Sequence, residues 1–131
     1  MSKEKIENIE NKESNNNYEI NSWEDLDIKN DLLRGIYSNG FEAPSPIQKK
    51  AILPIIKGND VIAQAQSGTG KTGCFSIAGL EIINTNENNI QLLILSPTRE
   101  LSHQTKNVID RIGVNMKNLR SQLLVGDNIN N

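Results

Sequence analysis

Six consecutive residues, Ser67-Gly68-Thr69-Gly70-Lys71-Thr72, carry the clearest chemistry in this chain. The glycines let backbone N–H groups converge on an anion without Cβ clashes. A lysine and a hydroxyl follow at once. In the arrangement G-x-x-x-x-G-K-[ST], such a loop cradles phosphates, with Lys71 reaching the β- and γ-phosphates and the Thr72 hydroxyl holding Mg²⁺. The pattern asks for glycine at position 65, where this chain has Ala65, followed by Gln66. Gly68 inside the loop supplies conformational freedom in its place. A bare G-K-T is weak, and an ordinary Gly-rich turn would make the lysine incidental. The elements on either side favour nucleotide binding.

Two other stretches hold candidate site residues. Gly40-Phe41-Glu42-Ala43-Pro44-Ser45-Pro46-Ile47-Gln48 reads as a helix entry. Ser45 suits the N-cap, Pro46 the first helical position, and Gln48 the third position of a capping box. Pro97-Thr98-Arg99-Glu100-Leu101 reads, taken alone, as a plain helix start with Arg99 and Glu100 solvated. Cys74 is small core filler beside the loop. His103 is the only histidine, and a metal site needs several ligands, so it is a helix-surface residue.

The elements that must position these residues alternate in type. Residues 60–65 form an aliphatic strand before the loop. After it, Phe75, Ile77, Ala78, Leu80, Ile82 and Ile83 recur at helical spacing. A polar loop leads to the near-continuous aliphatic run 90–95, as in a strand buried on both faces. A helix carries Leu101, Val108, Ile109 and Ile112 inward and stops at Gly113. Residues 121–125 make a third, shorter strand. This βαβαβ order predicts an α/β fold, a parallel sheet with helices on both faces, and a site at the carboxyl ends of the strands. Trp23 opens the globular part. A helix capped by Asn30 carries Leu32, Leu33, Ile36 and Tyr37 and ends at Gly40. The helix after Ser45 continues through Ala51 and Ile52 until Pro54 kinks or ends it.

Composition bounds the rest. At 131 residues the chain holds one domain at most. Residues 1–22 are rich in Glu, Lys and Asn and predict a disordered tail, leaving 23–131 as an incomplete domain. The net charge of −2 resides in that tail, with three lysines against five glutamates, so the remainder is neutral. Charge alone therefore gives no sign of nucleic acid. One cysteine excludes a disulfide framework and points to a reducing compartment. No apolar stretch of about 18 residues predicts a membrane span, and no apolar segment near the N-terminus suggests a secretory signal.

Taken together, the stretches 40–48, 65–72 and 97–101 resemble the first three signatures of DEAD-box ATP-dependent RNA helicases in order and spacing. The similarity extends over roughly residues 23–129. Leu32-Leu33-Arg34-Gly35-Ile36-Tyr37 and Ile62-Ala63-Gln64-Ala65-Gln66-Ser67 are especially similar to the translation-initiation helicases, the eukaryotic initiation factor four-A group. The resemblance implies a partial RecA-like domain that binds ATP and Mg²⁺ through Ala65, Gln66, Ser67, Gly68, Thr69, Gly70, Lys71 and Thr72. Ala65 then fits, because the family's loop begins with alanine. The resemblance also implies that Gln48 reads the adenine edge with its amide and that Phe41 stacks on the base. The capping and adenine roles of Gln48 compete for one amide. Pro97, Thr98, Arg99, Glu100 and Gly126 would grip the RNA backbone, a contact that positions without reading sequence. The implied partners are RNA, ATP and the protein partners of a translation-type helicase, with no membrane, in the cytoplasm or the nucleus.

The chain also departs from the family. The motif Asp-Glu-Ala-Asp, which supplies the water-positioning acid and a magnesium anchor, is absent from these residues. Glu24-Asp25-Leu26-Asp27 and Asp110 do not replace it. The family's Gly-Gly turn appears as Gly126-Asp127, and the similarity fades over residues 107–119. Three readings result. The first is the N-terminal part of an RNA helicase, inactive by itself. The second is a truncated, catalytically inactive binding paralogue or decoy. The third is another phosphate-loop protein, such as a small kinase, which a preference for GTP would indicate.

Overall fold

The computed structural model describes residues 18–126. The N-terminal segment predicted as tail lies outside the described residues up to position 17. Residues 18–22 do not behave as tail. Ile20 is buried, and its N–H donates to Lys49 O at 3.0 Å.

A 3-10 turn, Trp23–Leu26, is followed by four α-helices: α1 (Asn30–Ser38), α2 (Pro46–Ile56), α3 (Lys71–Ile82) and α4 (Arg99–Ile112). Local chemistry explains each boundary. The Asp25 carboxylate accepts from the N–H groups of Asn21 at 2.8 Å and Ser22 at 3.0 Å, which closes the 3-10 turn. In α1 the cap position is Lys29 rather than Asn30. Lys29 instead donates its ammonium to Leu80 O at 3.2 Å and Ile83 O at 2.6 Å, placing a cation at the C-terminal end of α3. Helix α1 ends as predicted at Gly40, with φ +80°. Gly40 N–H donates to Tyr37 O and Phe41 N–H to Ile36 O, the paired bonds of a Schellman turn.

Helix α2 begins with Ser45 at the cap and Pro46 inside, as expected. Pro54 does not end it, and the helix runs two residues further to Ile56. Thr98 caps α4, its Oγ1 accepting from Leu101 N–H at 3.2 Å. Gly113 closes α4 through Ile109 O at 2.8 Å.

The helices pack α2 on α3 and α3 on α4, with α1 against α3 and α4. Trp23, Leu32, Ile36, Ile52, Ile77, Leu80 and Ile112 are fully buried where they meet. Helix α1 lies so close to α4 that a Cβ on Gly35 would sit 1.7 Å from Ile112 O. Leu101, expected inward, is exposed, while Ile109 and Ile112 are buried as expected.

The predicted sheet is where the structure differs. Residues 60–65, 90–95 and 121–125 carry no strand or bridge among the described residues. Ile62, Ile90, Leu93, Leu95 and Leu124 are exposed. A groove of about 1080 Å³ is lined by the second and third of these segments together with Thr105 and Ile109 of α4. Aliphatic runs report which side chains seek burial. A ladder also needs a neighbouring backbone about 4.8 Å away. The last segment is tied to α4 by side chains instead: Lys106 Nζ donates to Asp110 Oδ2 at 2.6 Å and to Ser121 Oγ at 3.0 Å.

Candidate functional site

The loop before α3 turns through two glycines in the left-handed region, Gly68 at φ +80° and Gly70 at φ +98°. Thr69 Oγ1 donates to Gln66 O at 2.6 Å and holds the turn closed. Gly70 caps α3, and its carbonyl accepts the Cys74 N–H at 3.1 Å. The first N–H groups of α3 therefore have no partner within their own helix and face outward, with the positive end of the helix dipole behind them. A Cβ at Gly68 would meet nothing within 4 Å, so this side of the loop is open. Lys71 is exposed and Thr72 half-buried at its edge. Unpaired N–H groups at a helix N-terminus are a general anion-binding arrangement. For a cation, the Thr72 hydroxyl is the protein oxygen on hand. That suits Mg²⁺, which takes few protein ligands and keeps several waters. Among the described residues no group of three or more His, Cys, Asp or Glu could hold a metal by itself.

Gln48 is the pivot between this loop and α2. It is 2% exposed. Its Oε1 accepts from Ser45 N–H at 2.8 Å, the reciprocal arm of a capping box, and its Nε2 donates to Gly70 O at 3.2 Å. Both ends of the amide are thus engaged by the chain itself. Each end also keeps further capacity, since an amide oxygen has two lone pairs and an amide nitrogen two hydrogens. The Ser45 hydroxyl beside it is buried without a hydrogen-bond partner.

Close approach to Gln48 explains two glycines. A Cβ at Gly70 would stand 2.6 Å from Gln48 Nε2 and 2.8 Å from Ser45 Oγ. A Cβ at Gly73 would stand 2.6 Å from the same Nε2 and 3.8 Å from Phe41 Cε1. Gly73 is a site residue that the motif reading missed. Its signal was a glycine inside the first turn of a helix, a place where alanine is favoured by about 1 kcal/mol. Phe41 is half-buried, and its carbonyl accepts the Trp23 indole N–H at 2.9 Å. Phe41, Ser45, Gln48, Gly70 and Gly73 therefore form one cluster at the base of the loop.

The other predicted residues lie on different elements. Pro97, Thr98, Arg99 and Glu100 form the exposed start of α4. There Thr98 spends its Oγ1 on the cap, and its carbonyl accepts from Ser102 Oγ at 3.2 Å. Gly126 is exposed at the end of the described residues. Cys74 is buried, and burial pushes its thiol up to about 11, so it stays neutral and unreactive at neutral pH. His103 is exposed.

Comparison with known proteins adds a family. A model of the DEAD/DEAH box helicase family matches residues 45–131. The chain is 56% identical over 101 residues to the ATP-dependent RNA helicase eIF4A of Pyricularia oryzae, covering 77% of this chain and 26% of that protein. The fold resembles that of a variant S. cerevisiae Dbp5 bound to a Gle1 variant and IP6, with a TM-score of 0.79 at 38% identity, over 83% of this chain and 28% of that one. It also resembles S. cerevisiae Dbp5 bound to RNA and ADP BeF3, with a TM-score of 0.68 at 41% identity, over 73% of this chain and 25% of that one. The fold is thus part of a RecA-like helicase domain. The chain spans about a quarter of the length of the curated relatives it matches.

Proposed function

Because the chain belongs to the DEAD/DEAH box helicase family, we propose that it is the N-terminal part of an ATP-dependent RNA helicase. In this reading it binds ATP and Mg²⁺ beside an RNA contact, and the longer protein couples hydrolysis to RNA unwinding. The observation that carries the proposal is the open glycine cradle at the start of α3 with Gln48 seated beneath it.

Each residue has a role in that reading. Lys71 draws the β- and γ-phosphates onto the N–H groups of α3. Ala65, Gln66, Ser67, Gly68, Thr69 and Gly70 shape the loop. Thr72 offers its hydroxyl to Mg²⁺, which when bound neutralises charge on the phosphate oxygens. Gln48 reads adenine with the half of its amide capacity that Ser45 and Gly70 leave unused, and Phe41 stacks on the base. Pro97, Thr98, Arg99, Glu100 and Gly126 hold RNA phosphate and sugar. In the longer protein, residues 60–65, 90–95 and 121–125 pair as parallel strands with helices on both faces. Similarity to the four-A group supports work on RNA in the cytoplasm with protein partners of a translation-type helicase.

Residues 1–131 contain no Asp-Glu-Ala-Asp sequence. We therefore expect this chain to bind ATP without turning it over, even when RNA is added. Equilibrium titration with ATP and GTP tests the nucleotide site. ATP binding that Lys71→Ala abolishes is the expected result. Affinity unchanged by that substitution, or a preference for GTP, would overturn the assignment.

A further inference from the structure

We propose that Asn39-Gly40 is a self-modification site, where Asn39 deamidates through a cyclic imide at a rate governed by the joint between α1 and α4. Asn39 is the only asparagine in the sequence followed by glycine. Glycine has no side chain to shield its own amide nitrogen, so that nitrogen can reach the neighbouring carboxamide. In the reaction the Gly40 nitrogen bonds to Asn39 Cγ and gives up its proton. The Cγ–Nδ2 bond breaks, and ammonia leaves carrying that proton. Water then opens the imide at either carbonyl, leaving aspartate or isoaspartate. Water is the only co-reactant.

The folded chain restrains every group in this sequence. Asn39 Nδ2, the leaving nitrogen, donates to Gly35 O in α1 and to Arg111 O in α4, both at 2.7 Å. The attacking Gly40 N–H donates to Tyr37 O at 3.1 Å. Asn39 itself sits at φ −99° and ψ 14°, which points the Gly40 nitrogen away from the side chain. Ring closure therefore needs the α1 terminus to open from α4 first.

Once made, the change prevents the joint from re-forming. The product carboxylate has no hydrogen to donate, and it would face two carbonyl oxygens that had shared one amide nitrogen. Isoaspartate also lengthens the backbone by one carbon directly before the Gly40 turn. The next residue is Phe41, whose carbonyl holds the Trp23 indole and whose ring lies near Gly73. Damage at Asn39 is thus transmitted to the cluster beneath the loop.

The test follows the intact 131-residue chain in mildly alkaline buffer with and without urea. Peptide mass mapping locates deamidation, and enzymatic methylation of isoaspartate confirms the product. In urea Asn39 is expected to change before every other asparagine. Without urea its rate should fall at least ~10-fold, the effect of an opening free energy above about 1.4 kcal/mol. Equal rates with and without urea would overturn the proposal, as would another asparagine changing first in urea. Asn39→Asp reproduces one product and should unfold at lower urea than the parent chain. An unchanged midpoint would refute the claim that the joint depends on the amide, and the rate comparison stands even if this variant does not fold.

Discussion

Replacing Gly73 by alanine sets two known effects against each other. Intrinsic helix propensity favours alanine by about 1 kcal/mol, so an unhindered site would become more stable. The structure argues the opposite sign. The added methyl would lie 2.6 Å from Gln48 Nε2, and Gln48 is 2% exposed, so its amide has little room to move. Turning it aside breaks the bonds to Ser45 N–H and Gly70 O. Each is worth roughly 1 kcal/mol, and a buried polar group left unsatisfied costs about 1–3 kcal/mol more. After the propensity gain, the net loss is about 2–4 kcal/mol, and the melting temperature should fall by roughly 10 °C or more. Urea and thermal unfolding of Gly73→Ala measure it, with nucleotide titration alongside, because the loop loses its anchor at Gly70. A variant as stable as the parent, or more so, would show that Gln48 is not held as described, and the coupling between α2 and the phosphate loop would fall with it.

Two further substitutions probe the packing around the site. Gly35→Ala puts a methyl 1.7 Å from the main-chain Ile112 O, which cannot rotate aside. It should cost about 3 kcal/mol or more, the upper end for overpacking, and an unchanged urea midpoint would contradict the α1–α4 contact. Cys74 carries a thiol raised by burial to about 11. Its folded value lies above its unfolded one, so the stabilisation is complete below the ordinary thiol range and declines as pH rises towards and through about 11. Cys74→Ala should remove that alkaline slope. In the parent chain, alkylation by iodoacetamide should be slow until urea is added, and fast labelling of the folded chain would refute the burial.

What could be read from the sequence divides by the range of the interaction. The helix starts at Pro46 and Arg99 and the stops at Gly40 and Gly113 depend on groups within about four residues of one another, and these were legible. Lys29 was not, because its partners, Leu80 O and Ile83 O, are some fifty residues away in the chain. Ile20 was missed for a similar reason: its polar neighbours set the local composition, while Lys49 O and the core decide its burial. The sheet meets the same boundary: the RecA-like resemblance holds, while the three segments form no ladder among the described residues. Residues 90–95 have the composition of a buried strand, yet pairing is a property of two segments, and composition describes one. Within the site, the loop was legible because glycine, lysine and threonine each have a chemical reason to be there. Gly73 was invisible, since its reason is the Gln48 amide on another helix.

Gln48 shows why a site can be half legible. Read by spacing it is a helix cap, and read by resemblance it recognises adenine, two roles that looked exclusive. The structure shows the first role, with both ends of the amide engaged by the chain itself, and the second belongs to the proposed function. The cap takes one lone pair of Oε1, and Gly70 O takes one hydrogen of Nε2. One acceptor site and one donor site of the amide remain, the complementary pair that an adenine edge requires. In the proposed reading the two protein bonds would serve recognition by fixing the amide's orientation, since a freely turning amide presents oxygen and nitrogen interchangeably. The bond to Gly70 also connects the glycine loop directly to the residue proposed to read the base. A ligand that draws on the free half of that amide must do so at a group already bonded to the cap of α3, so the proposed base recognition would be coupled to loop geometry through a single side chain.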